Sequence, residues 1–277
     1  MISLSSLTTT TNKFDILTYI QTIYDTLPDS ITFQNSGLAR DNFLLAILQQ
    51  EINLLNNLLK TVRNSLYSIK QGLEGNFHSL ETLRSVYDQI VQNKVPTEWK
   101  YFPSALPFQQ WTEDLVSRAQ FFQNWIDTGT PSIFWLGAFA YPQAIFTYAL
   151  LQGAKKLKVD VENLVLDFEV MNSDVISTEE GILLSGLFLE GARWDNKLEE
   201  LEPSGTFCQK MPPILCRARQ PVRSTMKGDS SYLCPVYRTS DRGSSNLVTY
   251  IKLPSSNTEK HWVKRSVVLL SHFDINE

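Results

Sequence analysis

At 277 residues the chain is long enough to bury one large core or two modest ones. Its 43% hydrophobic and 19% charged content is that of a folded protein rather than a disordered one. A net charge of −4 supplies no basic footprint for nucleic acid and no attraction to anionic lipid, so neither is an expected partner.

Met1 to Asn12 is a polar, Ser/Thr-rich stretch without the cationic start and apolar run of a signal peptide. Phe14 to about Thr26 reads as a short helix ended by Pro28. Then comes the clearest pattern in the sequence. Leu45, Leu48, Ile52, Leu55, Leu59, Val62, Leu66, Ile69 and Leu73 step alternately by three and four, which places them on one stripe of a continuous helix. At 1.5 Å per residue that stripe is about 40 Å long. Gly72, Gly75 and Asn76 supply a stop, because glycine accepts the left-handed conformation that ends helices. The spacing predicts a further helix over Phe77 to Val91, with Leu80, Leu83, Tyr87 and Ile90 inward, running antiparallel to its neighbour across a short turn. The stripe could also serve a dimeric coiled coil. Packing within the chain is the preferred reading, since the flanking positions carry Asn, Gln and Ser rather than paired charges.

Lys94 to Pro107 is a connector with proline and aromatic residues, followed by helical segments over Phe108 to Thr128 and Pro131 to Leu157. Pro131 suits a first-turn position, where its missing N–H costs nothing. Ile133 to Leu151 carries no charge, but Pro142, Gln143 and the nearby Gln152 favour a buried helix over a bilayer span.

After Lys155-Lys156-Leu157-Lys158 the period becomes two. Leu166, Phe168 and Val170 alternate with Asp167 and Glu169, the pattern of a half-buried strand. Leu187 to Glu190, Tyr232 to Arg238, Leu247 to Leu253 and Trp262 to Phe273 are further strand candidates. Arg217 to Lys227 reads as a solvated basic loop. The expected fold class is α+β: an N-terminal antiparallel α-helical bundle followed by a small antiparallel β-barrel, whose closure would protect the sheet edges.

The motifs of catalysis are missing from the sequence. No GxxxxGK[ST] loop, no GxGxxG opening a helix, no HExxH and no GxSxG occurs. Gly181, Gly186 and Gly191 have a spacing that suits turns and close packing better than phosphate contact. Asp167 with Glu169, and Glu190 with Asp195, could pair for hydrolysis, but charged residues facing outward from a strand are the ordinary arrangement. The three cysteines, Cys208, Cys216 and Cys234, form no CxxC pair, and His78, His261 and His272 are not spaced to complete a zinc site. Free buried thiols in a reducing compartment are expected, with no catalytic residue, metal or cofactor. Trp99, Trp111, Trp125, Trp135, Trp194 and Trp262 are each expected in the core sooner than at an interface.

Gly186 to Asp195, GLFLEGARWD, resembles a recognisable motif in the C-terminal region of axonemal dynein heavy chains. Phe121 to Asp127 (FFQNWID), Pro131 to Gln143 (PSIFWLGAFAYPQ) and Val159 to Val170 (VDVENLVLDFEV) resemble the same family in the same order. So do Cys234 to Thr239 (CPVYRT), Leu253-Pro254 and His261 to Leu270 (HWVKRSVVLL), and Phe14 to Gly75 is similar to the last helices before that region. Ser266 stands where axonemal members usually carry glycine, and the Thr239 to Thr249 loop is shorter than usual.

The resemblance implies three parts. Residues 1–95 would be helices from the end of the last AAA+ module and a linker helix, 96–157 a helical subdomain of the C-terminal domain and 158–277 a β-barrel subdomain. It implies a non-catalytic regulatory domain that packs on the AAA+ ring of its own heavy chain and modulates ATP-driven movement along microtubules. Microtubules and other dynein subunits would be indirect partners, in the cytoplasm, the cytoskeleton and the axoneme of cilia and flagella. Without the family, the residues alone also allow a stand-alone interaction module that binds a peptide on its barrel or helical face.

Overall fold

Steps of three and four turn into geometry in helix α2 (Asn42–Glu74), where Leu48, Ile52, Leu55, Leu59, Val62, Leu66, Ile69 and Leu73 are all buried and only Leu45 is half-buried. The structure is a computed structural model that describes residues 11–32, 42–75, 83–99, 106–171, 178, 180–221 and 231–272. The N-terminal ten residues, the stretch 76–82 with Leu80 and His78, part of the Lys94 to Pro107 connector, Phe273 and residues 222–227 of the expected basic loop lie outside the described residues. The chain divides into two compact units, residues 1–129 and 130–277. The change of period near residue 158 therefore falls inside the second unit.

In the first unit α1 (Thr11–Thr26), α2, α3 (Arg84–Val91) and α4 (Phe108–Thr128) are joined by loops and a 3₁₀ turn at Thr97–Trp99. Helix α1 is held by its end. The Arg63 guanidinium on α2 donates to the Tyr24 and Leu27 carbonyls at 3.0 and 2.6 Å, pairs with Asp29 at 2.5 Å and stacks 4.2 Å from the Tyr24 ring. These carbonyls are the ones a helix C-terminus leaves without partners. Asn56 likewise accepts from the Ile31 N–H and donates to the Ile31 carbonyl. Gly75, at φ +134°, ends α2. Trp99, fully buried, stacks on Trp111 at 5.9 Å and donates its indole N–H to Ser65 on α2.

The antiparallel bundle expected here is a correction: the described residues do not show it. Helix α2 has 33 residues and α3 only 8, and α2 is buried on a face wider than its stripe, including Leu44, Ile47 and Leu58. What meets that face is the shorter helix α1, whose end Arg63 and Asn56 hold, together with the 3₁₀ turn at Thr97–Trp99 and part of α4. Periodicity reports which face leaves water and is silent about what covers it.

The second unit holds β1 (Ile133–Trp135), α5 (Gln143–Leu157), β2 (Val165–Val170), β3 (Ile182–Ser185), β4 (Phe188–Asp195), β5 (Glu200–Lys210), β6 (Ile214–Arg219), β7 (Ser231–Tyr237), β8 (Leu247–Pro254), α6 (Glu259–Lys264) and β9 (Val268–Leu270). They form two open mixed sheets, ordered β1-β3-β6-β2 and β5-β4-β9-β7-β8. β1 runs parallel to β3 and β7 parallel to β9, while the other neighbours are antiparallel.

The expected closed antiparallel barrel is therefore overturned. Alternation marks a buried face on each strand but leaves the choice of neighbour to long-range pairing. Here the backbone leaves the first sheet after β3 and enters the second at β4. Two local readings change with it. The segment from Pro131 is not helical at its start, because Ile133–Trp135 pairs with β3 and the helix begins only after Pro142. The expected strand over Trp262 to Phe273 begins as helix α6, and strand pairing is confined to Val268–Leu270. Trp262 is fully buried there and donates its indole N–H to Ser255 Oγ at 2.7 Å.

Candidate functional site

Residues 186–195 lie where the two sheets meet, and each departure from plain strand geometry has a visible reason. Gly186, at φ +78°, turns the backbone between β3 and β4; a Cβ there would lie 2.3 Å from Trp135 Cδ1, so the indole packs on bare backbone. Gly191, at φ +81°, sits at a bulge between Glu190 and Ala192. The extra residue resets the alternation. Leu189, Ala192 and Trp194 all become buried, with Trp194 only 6% exposed.

Side chains from distant segments stabilise the bulge. Arg265 donates to the Gly191 carbonyl at 3.3 Å and to the Ser204 carbonyl at 2.6 Å. Gln209 accepts from the Trp194 N–H at 2.8 Å and donates back to the Trp194 carbonyl. Arg242 pairs with Glu190 at 2.7 Å and donates to the Ser266 carbonyl at 3.0 Å. Ser266 itself has φ +56°, a left-handed conformation that glycine adopts more easily.

The carboxylates singled out in the sequence fall into three settings. Asp167 and Glu169 share a face of β2, where Arg217 reaches both, at 3.4 and 2.9 Å, and Arg219 reaches Asp167 at 3.1 Å. This ladder ties β2 to β6. Glu190 is engaged by Arg242, whereas Asp195 accepts from the Lys197 and Leu198 N–H groups in the turn after β4. Those two backbone bonds, Leu198 first, hold the Asp195 carboxyl below its usual range.

Cys216 and Cys234 are buried and Cys208 half-buried, all three free. Burial, with the nearby Glu190 charge added, pushes the Cys208 thiol up to about 12. Burial raises Cys216 and Cys234 as well. Protonated thiols are poor nucleophiles and poor metal ligands. Among the described residues no group of three His, Cys, Asp or Glu could hold a metal ion, and no described helix is long and apolar enough to cross a membrane.

Of the tryptophans, Trp99, Trp111, Trp125, Trp194 and Trp262 are buried and Trp135 is half-buried against Gly186. The seating of Trp135 on Gly186 is not foretold by local spacing. The signal available for it was the glycine opening the GLFLEGARWD motif. A cleft of about 590 Å³ was not legible either. Phe168 and Asp167 of β2, Leu198, Glu199 and Lys252 are among its walls, and it adjoins a smaller one of about 220 Å³ that reaches Val170 and Trp194.

Aromatic anchors, positive-φ glycines and arginine ladders define the packing of an α+β fold with two mixed sheets. Comparison with known proteins identifies which one. The family described as the C-terminal domain of the dynein heavy chain matches residues 3–271, and the protein belongs to it. It is 34% identical over 248 residues to dynein axonemal heavy chain 3 of Homo sapiens, covering 82% of this chain and 6% of that protein. It is 34% identical over 243 residues to dynein axonemal heavy chain 12 of Homo sapiens, covering 82% of this chain and 8% of that protein. The Mus musculus heavy chain 12 is 30% identical over 275 residues, covering 94% of this chain and 9% of the relative. The 277 residues thus span under a tenth of the length of these relatives, and the resemblance carried by the motifs is confirmed at the level of family.

Proposed function

We propose that this chain is a non-catalytic regulatory domain of an axonemal dynein heavy chain, packing on the AAA+ ring of that heavy chain and modulating ATP-driven, microtubule-based movement in cilia or flagella. The observation that carries the reading is the family match over residues 3–271 together with axonemal heavy chains as relatives. A missing phosphate-loop motif in the sequence supports a modulating rather than a hydrolysing role. The mechanism is energetic. A domain that contacts one ring conformation better than another shifts their populations by that difference in contact free energy, and 1–3 kcal/mol changes an equilibrium about 5- to 150-fold.

The test uses the full heavy chain with and without residues 158–277. The expected outcome is retained basal ATPase, with microtubule velocity, run length or stall force altered. Thermal melting verifies that the ring stays folded. Loss of ATPase from a folded ring would place the domain inside the catalytic cycle. Unchanged ATPase and motility would point to a docking surface for another protein instead.

A further inference from the structure

Strands β7 and β8 alternate between two faces. Tyr232, Cys234 and Val236 of β7 and Ile251 and Leu253 of β8 are buried on one of them. On the other, the register sets Leu233 opposite Lys252 and Pro235 opposite Tyr250. A sheet face that meets water ordinarily carries polar residues. This one carries leucine, proline and tyrosine, with Leu233 51% and Tyr250 47% exposed. Pro254, exposed, and Tyr237, half-buried, extend it at its two ends, and Lys252 is the one charged side chain among them.

The same face continues onto β9, and there it is covered. Tyr237 pairs with Leu270, so the two side chains share it, and Val268 lies on it two residues before. Val268 and Leu270 are both buried. The apolar layer thus runs on past the part of the protein that covers it. Other exposed apolar residues of this unit, such as Leu198 between Lys197 and Glu199 and Val263 beside Lys264, stand singly, which is ordinary for a protein surface. Aromatic and apolar side chains with little charge, set side by side, are instead the composition of the dry centre of an interface.

The occupant follows from length. In the relatives it matches, this chain corresponds to 6–9% of the heavy chain, so more than nine-tenths of each lies outside the matching segment. We propose that the face formed by Leu233, Pro235 and Tyr250 is where this domain packs against the rest of its own heavy chain, apolar surface against apolar surface. The proposal rests on the reading that the domain packs within such a chain, and it adds which side chains make the contact. Leu233 and Tyr250 supply the area removed from water, while the Lys252 ammonium stays at the rim, beside the cleft of about 590 Å³ that it helps to line.

The test is hydroxyl-radical footprinting, read by mass spectrometry, on the full heavy chain that contains this domain. Each residue's oxidation rate is divided by that of its free amino acid. Leu198 and Val263 serve as references, since within the domain they are at least as exposed as Leu233 and Tyr250. Leu233 and Tyr250 should be protected at least fivefold more than the references. Leu233→Ser with Tyr250→Ser, both at exposed positions, should raise oxidation of Tyr237 at least threefold and leave the fully buried Trp262 closed. Equal protection of all four residues, or an indifferent Tyr237 in a variant whose Trp262 stays closed, would overturn the proposal. Protection of the references with Leu233 and Tyr250 open would overturn it too, while leaving standing the reading that the domain packs within its heavy chain. That reading fails separately, if deletion of residues 158–277 leaves motility unchanged.

Discussion

Helix α2 and strand β4 bury apolar residues by opposite strategies. Along α2 a repeat held within one segment is enough: eight of its stripe positions are buried without help from any unusual backbone. Along β4 an eight-residue strand needs two glycines at positive φ, a bulge, and side chains reaching in from Gln209, Arg242 and Arg265. Helical hydrogen bonds close within four residues, so a helix forms from local information. A strand has no partner of its own, and its geometry is set by whichever segments pair with it. Losses in the first region should therefore add residue by residue, whereas the second should fail through couplings.

The sharpest break would come from removing one anchor in each unit. Leu59→Ala in α2 and Trp262→Ala beside β9 each delete a fully buried side chain and should cost about 3–5 kcal/mol. If the two compact units unfold independently, Leu59→Ala should lower the urea midpoint read by helical circular dichroism and leave the Trp262 environment unchanged. Equal shifts of every signal in both variants would mean one cooperative unit. Next in size, Gly186→Ala forces a non-glycine residue to φ +78° and pushes a methyl into the Trp135 indole, for a loss of about 3 kcal/mol. Repeating it in a Trp135→Ala background should recover about 1 kcal/mol or more, because the clash partner is gone. Strict additivity of the two losses would show that the indole does not seat on Gly186.

A smaller effect should have the opposite sign. Ser266→Gly relieves a left-handed serine and should stabilise by up to about 1 kcal/mol, since the strain removed is offset by the entropy glycine brings to the unfolded state. A loss of stability would mean that the serine hydroxymethyl matters more there than the backbone angle. The smallest effect is in pH. The Cys208 thiol titrates near 12 when folded, against 9.0 for an unperturbed thiol. Its folded pKa is raised, so above pH 9 the unfolded state holds fewer protons than the folded one. The contribution is complete below about pH 9 and is lost as pH rises toward about 12. Urea denaturation at pH 7 and pH 10 should give a steeper decline for the wild type than for Cys208→Ser. Parallel declines would show that this thiol contributes nothing to alkaline instability.

Family membership was legible because it resides in short ordered motifs, such as Gly186 to Asp195 and His261 to Leu270, that survive without any knowledge of pairing. Helices α2 and α4 were legible for the reason their hydrogen bonds are local: Phe108–Thr128 begins and ends where its spacing and Gly129 dictate. The short strand Ile133–Trp135 was read as helix because an apolar run of that kind fits either period, and parallel pairing with Ile182–Ser185, far along the sequence, decided it. Asp167 and Glu169 could be assigned to one face of a strand from alternation, but the arginines that neutralise them stand about 50 residues away on β6. The open sheets and the cleft beside β2 belong to the same category. Which residues leave water is written in local spacing, whereas which of them meet depends on crossings of the backbone such as the one at Gly186, where a missing Cβ lets an indole from another strand close against the main chain.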